Sequence, residues 1–488
     1  MKTTVKEREL NAITTMEEDF AKWYTDIVKQ GNLIAYGPVK GTLVLKPNAY
    51  GIWELIQQHL NQAFAKKGIK NVYLPLFIPE KLFAKEKEHI KGFNPELATV
   101  TMVGDKKLEE KIYVRPTSEV LFADLFRNSI ESYKDLPIIY NQWANVVRWE
   151  KTTNPFLRSR EFLWQEGHTC HDNSLEARNL TKEMIKLYAS FFKNYLAIPT
   201  IMGKKTPHEK FAGACSTYTI EAMMKDGRAL QAGTSHYLAQ NFSKQYGIIF
   251  KNKENEFEYA FQTSWGVSTR ILGAIIMVHG DNRGIVIPPK VAPVQVMLCT
   301  LFGHKNEAVA EKGKEIFKLL KKSFRTELDD SEKNPGFKAS ETEIRGIPVR
   351  VELGPKDLEK GQVTIVRRDT LEKIQVPFGE MKDVIKKMLL DIHNNLYEKA
   401  SQRLKANTVT VFDDYEHFKK EIQNRKFVIA PFCCGGEVED LIKEETGGTT
   451  RCIVKLSPAE TRGSKKHECI FPECKGKTTR FVVFAKNY

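Results

Sequence analysis

The stretch from Val147 to His168, VRWEKTTNPFLRSREFLWQEGH, decides which fold the sequence predicts. Apolar and polar residues alternate at both ends of this stretch, which is typical of two antiparallel strands that each bury one face. The loop between them contains Pro155, Arg158 and Arg160. A guanidinium can bind phosphate through two hydrogen bonds and keeps its charge when partly desolvated. The hairpin therefore predicts a phosphate site, with a merely solvated basic loop as the alternative.

The composition is that of a globular protein, with 41% hydrophobic and 28% charged residues in a chain of 488. This length predicts about three domains. The net charge of +14 favours a polyanionic partner, and nucleic acid is the first candidate. The first twenty residues lack the apolar segment of a signal peptide, and no apolar run is long enough to span a membrane. We therefore expect a cytoplasmic protein with no membrane partner.

The first part of the chain has clear helix and strand signals. Residues 1–16 are polar and predict a flexible N-terminal arm. Apolar residues recur every fourth position from Ile52 to Phe64, which predicts an amphipathic helix, and the strand that follows, 72–78, contains Pro75. A proline removes a backbone donor from a strand, so this strand should lie at a sheet edge or against another chain. Further on, a strand leads to Arg270 at the start of an apolar helix.

A proline-rich segment at 287–293 predicts a domain boundary. Strands alternate with helices from there to about residue 406, which predicts an α/β domain whose basic side chains remain available to a partner. Residues 407–488 carry five of the eight cysteines, all from Cys433 onward. That clustering predicts a separate role for the C-terminal extension.

Three features resemble the three motifs of class II aminoacyl-tRNA synthetases: Pro75 after a long helix, Arg148-Trp149-Glu150 with a returning strand at Arg158, and Gly266–Arg270 before an apolar helix. Four further stretches are similar to prolyl-tRNA synthetases within that class, namely Arg115–Glu119 (RPTSE), Glu161–His168 (EFLWQEGH), Lys210–Ala214 (KFAGA) and Thr234–His236 (TSH). The roughly one hundred residues between Glu161 and Trp265 leave no room for a large editing insertion, and the tail resembles the archaeal and eukaryote-like type.

The resemblance implies an α+β fold in three parts. A class II catalytic domain on an antiparallel sheet would occupy residues 17–285, an α/β anticodon-binding domain residues 286–406, and a small α+β extension residues 407–488. It also implies ATP-dependent attachment of L-proline to tRNA(Pro) through prolyl-adenylate, with Mg²⁺ accompanying ATP, by a homodimer. The alternative is a non-catalytic, synthetase-like regulator that binds tRNA or senses an amino acid.

The resemblance further implies roles for individual residues. Arg148 and Arg270 would be catalytic. The proline pocket would comprise Thr117, Glu119, Arg148, Trp164, Glu166, Phe211 and His236. The ATP site would comprise Arg148, Glu150, Arg158, Ser159, Gln231, Thr234, Ser268 and Arg270. Anticodon contacts would come from Lys338, Arg345, Arg367 and Arg368.

Two expectations follow from this assignment. An apolar pocket distinguishes ligands that differ by one methylene by only about 1–3 kcal/mol of binding free energy, so we expect misactivation of alanine or cysteine.

Related tails hold structural zinc with four cysteines, which implies Cys434, Cys469 and Cys474 as ligands. Cys433, Cys452 or His467 would be the fourth, and a metal-free tail is the alternative.

Overall fold

The structure, a computed structural model, describes residues 13–83, 97–461, 463 and 466–488. The helices before residue 285 are α1 (Phe20–Gln30), α2 (Pro47–Ala65), α3 (Glu80–Phe83), α4 (Glu119–Arg127), α5 (Ser174–Leu196), α6 (Asn241–Tyr246) and α7 (Arg270–His279). The strands of this region are β1 (Ile34–Tyr36), β2 (Leu43–Leu45), β3 (Lys70–Asn71), β4 (Phe77–Pro79), β5 (Thr99–Val103), β6 (Lys106–Val114), β7 (Ile138–Val147), β8 (Glu161–His171), β9 (Ile201–Lys204), β10 (Ser216–Met223), β11 (Ala229–Ala239), β12 (Ile249–Lys251), β13 (Phe257–Tyr259) and β14 (Phe261–Ser268).

The predicted hairpin is confirmed as β7 and β8. The two strands pair antiparallel from Ile138 opposite Cys170 to Val147 opposite Glu161. They form part of a sheet in which the order of the catalytic strands is β9-β10-β11-β14-β8-β7-β3, and all neighbours are antiparallel except β3 and β7. The predicted antiparallel catalytic sheet is thereby confirmed.

Helix α5 covers one face of this sheet. The hydroxyl of Ser235 on β11 donates to the carbonyl of Thr181 on α5, and Tyr188 on α5 donates to Gln165 on β8. Because side chains alternate between the faces of a strand, the neighbours of these residues point to the opposite face. That opposite face carries the cavity described below.

The strand predicted at residues 72–78 is wrong in its extent. Only Lys70–Asn71 and Phe77–Pro79 are strands, and Pro75 lies between them. Side chains replace the missing ladder bonds, since Gln142 Oε1 accepts from Leu74 N at 2.5 Å and Arg115 Nη1 donates to the Leu74 carbonyl at 2.7 Å. Arg115 is fully buried and also donates to the Asn145 carbonyl on β7. One arginine thus ties the Pro75 segment to the hairpin.

The second domain confirms the predicted α/β alternation. Its helices are α8 (Glu307–Lys321), α9 (Pro335–Ile344), α10 (Pro355–Glu359) and α11 (Met381–Ala406), and its strands are β15 (Val296–Thr300), β16 (Thr326–Asp329), β17 (Val349–Leu353), β18 (Gln362–Arg367) and β19 (Lys373–Pro377). The strands form one sheet of order β16-β15-β17-β18-β19, in which β15 is parallel to both neighbours and the other pairs are antiparallel.

The C-terminal extension joins the catalytic sheet. It contains the helices α12 (Tyr415–Gln423) and α13 (Gly436–Thr446), and the strands β20 (Thr408–Thr410), β21 (Phe427–Pro431), β22 (Thr449–Val454), β23 (His467–Glu468), β24 (Lys477–Thr478) and β25 (Phe481–Ala485). Strand β22 pairs with β9, and the order β20-β21-β25-β22 continues the catalytic sheet to eleven strands among the described residues. The extension and the catalytic domain therefore share a sheet.

The predicted N-terminal arm lies largely outside the described residues. From residue 13 onward the chain is attached to the fold, because Thr14 N donates to Asp26 Oδ2 at 3.1 Å and Met16 N to Asn282 Oδ1 at 2.9 Å. Within the described part of the chain, no helix is both long enough and apolar enough to cross a membrane.

Candidate active site

One cavity lies on the sheet face opposite α5, over β8, β11 and β14. The predicted residues that line it are Thr117, Glu119, Arg148, Trp164, Glu166, Phe211, Gln231, Thr234, His236, Ser268 and Arg270. Most of the residues predicted for the proline site and for the ATP site thus line a single cavity. Glu150, Arg158 and Ser159 are absent from its lining.

The acidic side of the cavity is organised by the start of α4. Glu119 is the first residue of that helix and is only 8% exposed, and the hydroxyl of Thr117 donates to its carboxylate. Ser118 occupies the N-cap position but makes no side-chain capping bond. Its hydroxyl instead accepts from Gln142 Nε2 at 3.1 Å. The start of α4 is therefore fixed by contacts with Gln142 and Glu119 and not by a side-chain cap.

Glu166 is held from both sides. Gln142 Nε2 donates to Glu166 Oε1 at 3.0 Å, and His168 Nε2 lies 3.0 Å from Glu166 Oε2. This contact is a hydrogen bond between two side chains of β8. The His168 ring stacks on Phe122 of α4 with centroids 4.1 Å apart. Glu166 therefore connects β8 to β7 while lining the cavity, and His168 makes the contact with α4.

Arg148 follows directly after β7 and crosses the cavity wall. Its Nε donates to the Pro116 carbonyl at 3.1 Å, and its guanidinium lies 5.4 Å from the ring centroid of Trp164. Burial lowers the pKa of Arg148, and the nearby carboxylates of Glu119, Glu150 and Glu166 oppose this change. The cation is thus held between an aromatic surface and acidic groups.

Arg270 begins α7, as the sequence predicts. Its backbone N donates to Ser268 Oγ and its Nε to the Leu157 carbonyl, both at 3.3 Å. Burial, together with repulsion from Arg148 and Arg158, lowers the pKa of Arg270 to about 10. An anion bound between these arginines would relieve the repulsion, so the electrostatics favour a polyanionic ligand.

The remaining predicted phosphate-loop residues lie outside the lining. Arg158 and Glu150 are half-exposed and form a loose pair with Nη1 and Oε2 3.9 Å apart. Ser159 is buried, and its hydroxyl donates to the Glu161 carbonyl at 3.0 Å. Its hydroxyl supports the loop backbone, and its contact with ATP stays a prediction.

The apolar wall consists of aromatic groups from three segments. The rings of Phe211 and His236 lie 4.6 Å apart, and Thr217 Oγ1 lies 2.9 Å from His236 Nδ1. The indole Nε1 of Trp164 is buried and has no hydrogen-bond partner among the described residues. A polar atom of a ligand could pair with that donor.

Several lining residues were not predicted from the sequence: Phe162, His168, Lys205, Glu209, Thr217, Ala232, Gly233, Ser264, Trp265, Gly266 and Val267. For Thr217 and Ser264, alternation along a strand next to a predicted site residue is the available signal. Lys205 has no such signal in the sequence. Its partner Glu221 is also bound by Arg451 of the extension, and neither partner is near Lys205 in the sequence.

The predicted anticodon residues are mostly engaged inside the protein. Lys338 is 1% exposed, with Nζ 3.2 Å from Asp329 Oδ1. Arg368 is 3% exposed and donates to both carboxylate oxygens of Asp281 in the catalytic domain. The expectation that these two charges remain available is wrong, because buried cations require internal partners. Arg367 binds Asp369 through two hydrogen bonds, and Arg345 is partly exposed beside Glu327.

Four cysteines of the extension form a compact cluster. The Sγ atoms of Cys433, Cys434, Cys469 and Cys474 all lie within 4.8 Å of one another, and two Sγ pairs are 3.6 Å apart. Zinc bound at about 2.3 Å places tetrahedral sulfur ligands about 3.8 Å apart, so the cluster fits that ion. Of the candidates for the fourth ligand, Cys433 lies in this cluster. Cys452 is buried against Gly203 elsewhere.

Comparison with known proteins places this geometry in a class. The family model for the tRNA synthetase class II core domain (G, H, P, S and T) matches residues 99–279, and the anticodon binding domain model matches residues 295–388. The hairpin of β7 and β8, the arginine after β7 and the arginine at the start of α7 all lie within the first of these ranges. The chain is a class II aminoacyl-tRNA synthetase by fold and by site.

The family within that class follows from the rest of the chain. The prolyl-tRNA synthetase C-terminal model matches residues 415–488. The proline–tRNA ligase of Mycoplasmopsis synoviae (strain 53) is 60% identical over 488 residues, which covers 99% of this chain and 100% of that protein. That of Oceanobacillus iheyensis is 52% identical and covers 90% of this chain and 92% of its own. The crystal structure of prolyl-tRNA synthetase from Cryptosporidium parvum, complexed with halofuginone and AMPPNP, superposes with a TM-score of 0.92 at 39% identity, covering 98% of this chain and 100% of that one. This chain belongs to the prolyl-tRNA synthetase family.

Proposed function

We propose that this chain activates L-proline with ATP and transfers the prolyl group to tRNA(Pro). One observation carries the proposal: a single cavity holds the Glu119 carboxylate together with the guanidinium groups of Arg148 and Arg270. A carboxylate suits the secondary ammonium of proline, and guanidinium groups suit a triphosphate. A protein that only binds tRNA or senses an amino acid has no need for both, which disfavours the regulator alternative.

The proline end of the cavity combines charge with an apolar wall. Glu119 would pair with the ammonium, and Thr117, whose hydroxyl already bonds Glu119, would keep that carboxylate in place. Trp164, Phe211 and His236 would contact the pyrrolidine ring, which is small enough to be enclosed by aromatic surfaces. Glu166 would support this end from β8.

The ATP end is defined by basic and polar groups. Arg148 would bind the α-phosphate and the proline carboxylate, and Arg270 would bind the triphosphate from the opposite side. Arg158 and Glu150 lie outside the cavity lining, so we propose that the loop between β7 and β8 brings them to the outer phosphates and the adenine when ATP binds. Polar contacts to ATP would come from Gln231, Thr234 and Ser268.

The first step is a substitution at the α-phosphorus. A carboxylate oxygen of proline forms a bond to phosphorus while the bond to the bridging oxygen of the β-phosphate breaks, and pyrophosphate leaves. Arg148 and Arg270 would neutralise the charge that develops, and the walls of the cavity would align the reactants. In the second step, a hydroxyl of the terminal adenosine ribose attacks the prolyl carbonyl, and AMP leaves.

Mg²⁺ would accompany ATP and be held mainly by phosphate oxygens, as is usual for this ion. When bound, the ion would share with the arginines the neutralisation of the triphosphate.

We place the enzyme in the cytoplasm, where both tRNA and amino acid are available. Within the anticodon-binding domain, the partly exposed Arg345 remains the best-placed of the four basic candidates to contact tRNA.

We assign structural zinc to the four-cysteine cluster. All four positions of a tetrahedral ion would be filled by sulfur, which is the arrangement of structural sites and leaves none for catalysis. The ion would link Cys433–Cys434, before α13, to Cys469 and Cys474, before β24.

A homodimer would cover the apolar side chains around Pro75. Tyr73 is 71% exposed and Phe77 is 47% exposed, and both flank the proline in a segment that forms no continuous strand. Large exposed apolar groups at a sheet edge are typical of a protein interface, and a two-fold contact would cover them in both subunits.

Proline-dependent exchange of pyrophosphate into ATP tests the proposal directly. The purified chain should catalyse exchange with L-proline and charge tRNA(Pro), whereas alanine and cysteine should support only slower exchange. Binding of tRNA without any proline-dependent exchange would instead establish the regulator.

A further inference from the structure

The C-terminal extension contacts the segment that builds the proline end of the cavity. This connecting segment, residues 205–211, lies between β9 and β10 and contributes Lys205, Glu209 and Phe211 to the cavity lining. Its start is held by the pairing of β9 with β22, in which Lys204 lies opposite Ile453. Helix α13 of the extension contacts its middle.

A buried carboxylate makes the central contact between α13 and the connecting segment. Glu439 is 5% exposed, and its Oε2 accepts from Thr206 Oγ1 at 2.8 Å and from Thr450 Oγ1 at 2.5 Å. The Thr206 hydroxyl in turn accepts from Glu209 N at 3.3 Å, and the Thr206 carbonyl accepts from Lys210 N at 3.0 Å. Glu439 therefore fixes the turn that immediately precedes Phe211.

The same turn positions the aromatic wall. Phe211 N donates to Thr217 Oγ1 at 3.0 Å, and that hydroxyl also contacts His236 Nδ1. A chain of contacts thus leads from Glu439 through Thr206 to Phe211, Thr217 and His236. Movement of the turn would displace one face of the proposed proline pocket.

Two glycines show how closely the extension and the connecting segment fit. A Cβ at Gly436 would lie 2.5 Å from His208 Nδ1, and a Cβ at Gly203 would lie 2.4 Å from the Ile453 carbonyl. A side chain at Gly203 would therefore meet the backbone of β22, whereas a side chain at Gly436 would have to displace the His208 ring. Arg451 adds a buried ion pair to Glu221, which also binds Lys205 of the cavity lining.

The ATP end is anchored independently of these contacts. Arg148 is held by the Pro116 carbonyl and Arg270 by the Leu157 carbonyl, and both groups lie outside the connecting segment and the extension. We infer that Glu439 is a positioning residue for the amino-acid pocket, which acts through Thr206 to hold Phe211 and sets the affinity for proline but not for ATP. This inference rests on the proposed proline site.

Pyrophosphate exchange on the full-length chain, with proline and ATP varied separately, tests this role. Glu439→Ala should raise the KM for proline about tenfold, because it leaves two buried hydroxyls without their acceptor. The KM for ATP and kcat should stay within about twofold. Glu439→Gln should give a smaller rise in the proline KM, since the amide oxygen can still accept from one threonine.

The adjacent residue of α13 offers a matched control. Asp440 contacts His208 of the same connecting segment at 3.2 Å, but both side chains are exposed. Asp440→Ala should therefore leave the proline KM within about twofold. Thr206→Val should raise the proline KM at least as much as Glu439→Ala, because it also removes the acceptor of Glu209 N. The double variant should show less than the sum of the two effects, because both changes remove the hydrogen bond between Glu439 and Thr206.

The possible outcomes separate the inference from the proposed function. Absence of proline-dependent exchange in the unmodified chain would overturn the proposed function itself. An active chain in which Glu439→Ala and Glu439→Gln leave the proline KM unchanged would overturn only the inference, even if the melting temperature falls. Equal increases in the KM for proline and for ATP would also overturn it, since they indicate general damage.

Discussion

Replacement of Arg148 provides a direct test of how the site works. Its Nε is fixed by the Pro116 carbonyl, its guanidinium lies 5.4 Å from the ring centroid of Trp164, and the residue lines the cavity together with Glu119 and Glu166. Such a preorganised donor in a desolvated site contributes about 3–4 kcal/mol to transition-state stabilisation, so Arg148→Ala should lower kcat for proline-dependent pyrophosphate exchange about 100- to 1,000-fold. Arg148→Lys keeps the charge but loses the planar fork, and should remain at least about tenfold below the unmodified chain.

Arg127→Ala is the matched control, because it removes the same charge from α4 where Arg127 and Asp124 form an exposed pair. Its exchange rate should stay within about twofold of normal. The melting temperature of each variant reports whether the fold is intact. If Arg148→Ala exchanges within about tenfold of the unmodified chain, the loss is below about 1.4 kcal/mol, and the assignment of Arg148 as a transition-state ligand is refuted.

Three further predictions concern stability, metal and assembly. Burial lowers the pKa of His279 to about 3. Below about pH 6.5 the unfolded chain therefore binds a proton at His279 that the folded chain does not bind. The free energy of unfolding should be about 2 kcal/mol lower at pH 5 than at pH 7.5, and it should depend less on pH in His279→Gln. Denaturant unfolding at both pH values checks this, and an unchanged dependence in the variant would contradict it. Metal analysis should find about one zinc per chain, lost in Cys434→Ser but retained in Cys452→Ser, whereas a full complement of zinc in Cys434→Ser would exclude the cluster. Sedimentation should show a dimer that dissociates when Tyr73 and Phe77 are both changed to serine, and a dimer that persists would place the interface elsewhere.

The sequence was sufficient for features that depend on local pattern. The alternation on both sides of residues 150–160 predicts β7 and β8, and the apolar run after Arg270 predicts the buried helix α7. Arg148 and Arg270 converge because each follows one of two strands, β7 and β14, that run in the same direction in one sheet. Glu119 joins them from the start of α4, which follows β6 of another sheet. The division at residues 17–285, 286–406 and 407–488 remains a prediction.

The contacts between distant parts of the chain could not be predicted in this way. No local signal indicates that β22 would pair with β9, and so none indicates that Glu439 and Arg451 would lie beside the catalytic domain. The strand expected across Pro75 failed for a related reason. Its backbone groups are bound by the side chains of Gln142 and Arg115, which are remote in sequence.

The burial of Lys338 and Arg368 shows that a charge surplus can indicate the kind of partner but not which residues contact it. Lys338 lies with Asp329, and Arg368 with Asp281, inside the protein, so each pair is close to neutral and adds nothing to the net charge. The surplus of +14 must therefore belong to other basic residues. A polyanionic partner remains the correct expectation from the total, because the total is insensitive to internal pairs. Which basic residues contact the partner depends instead on burial. A buried cation pairs with a carboxylate inside the fold, as Arg368 does with Asp281.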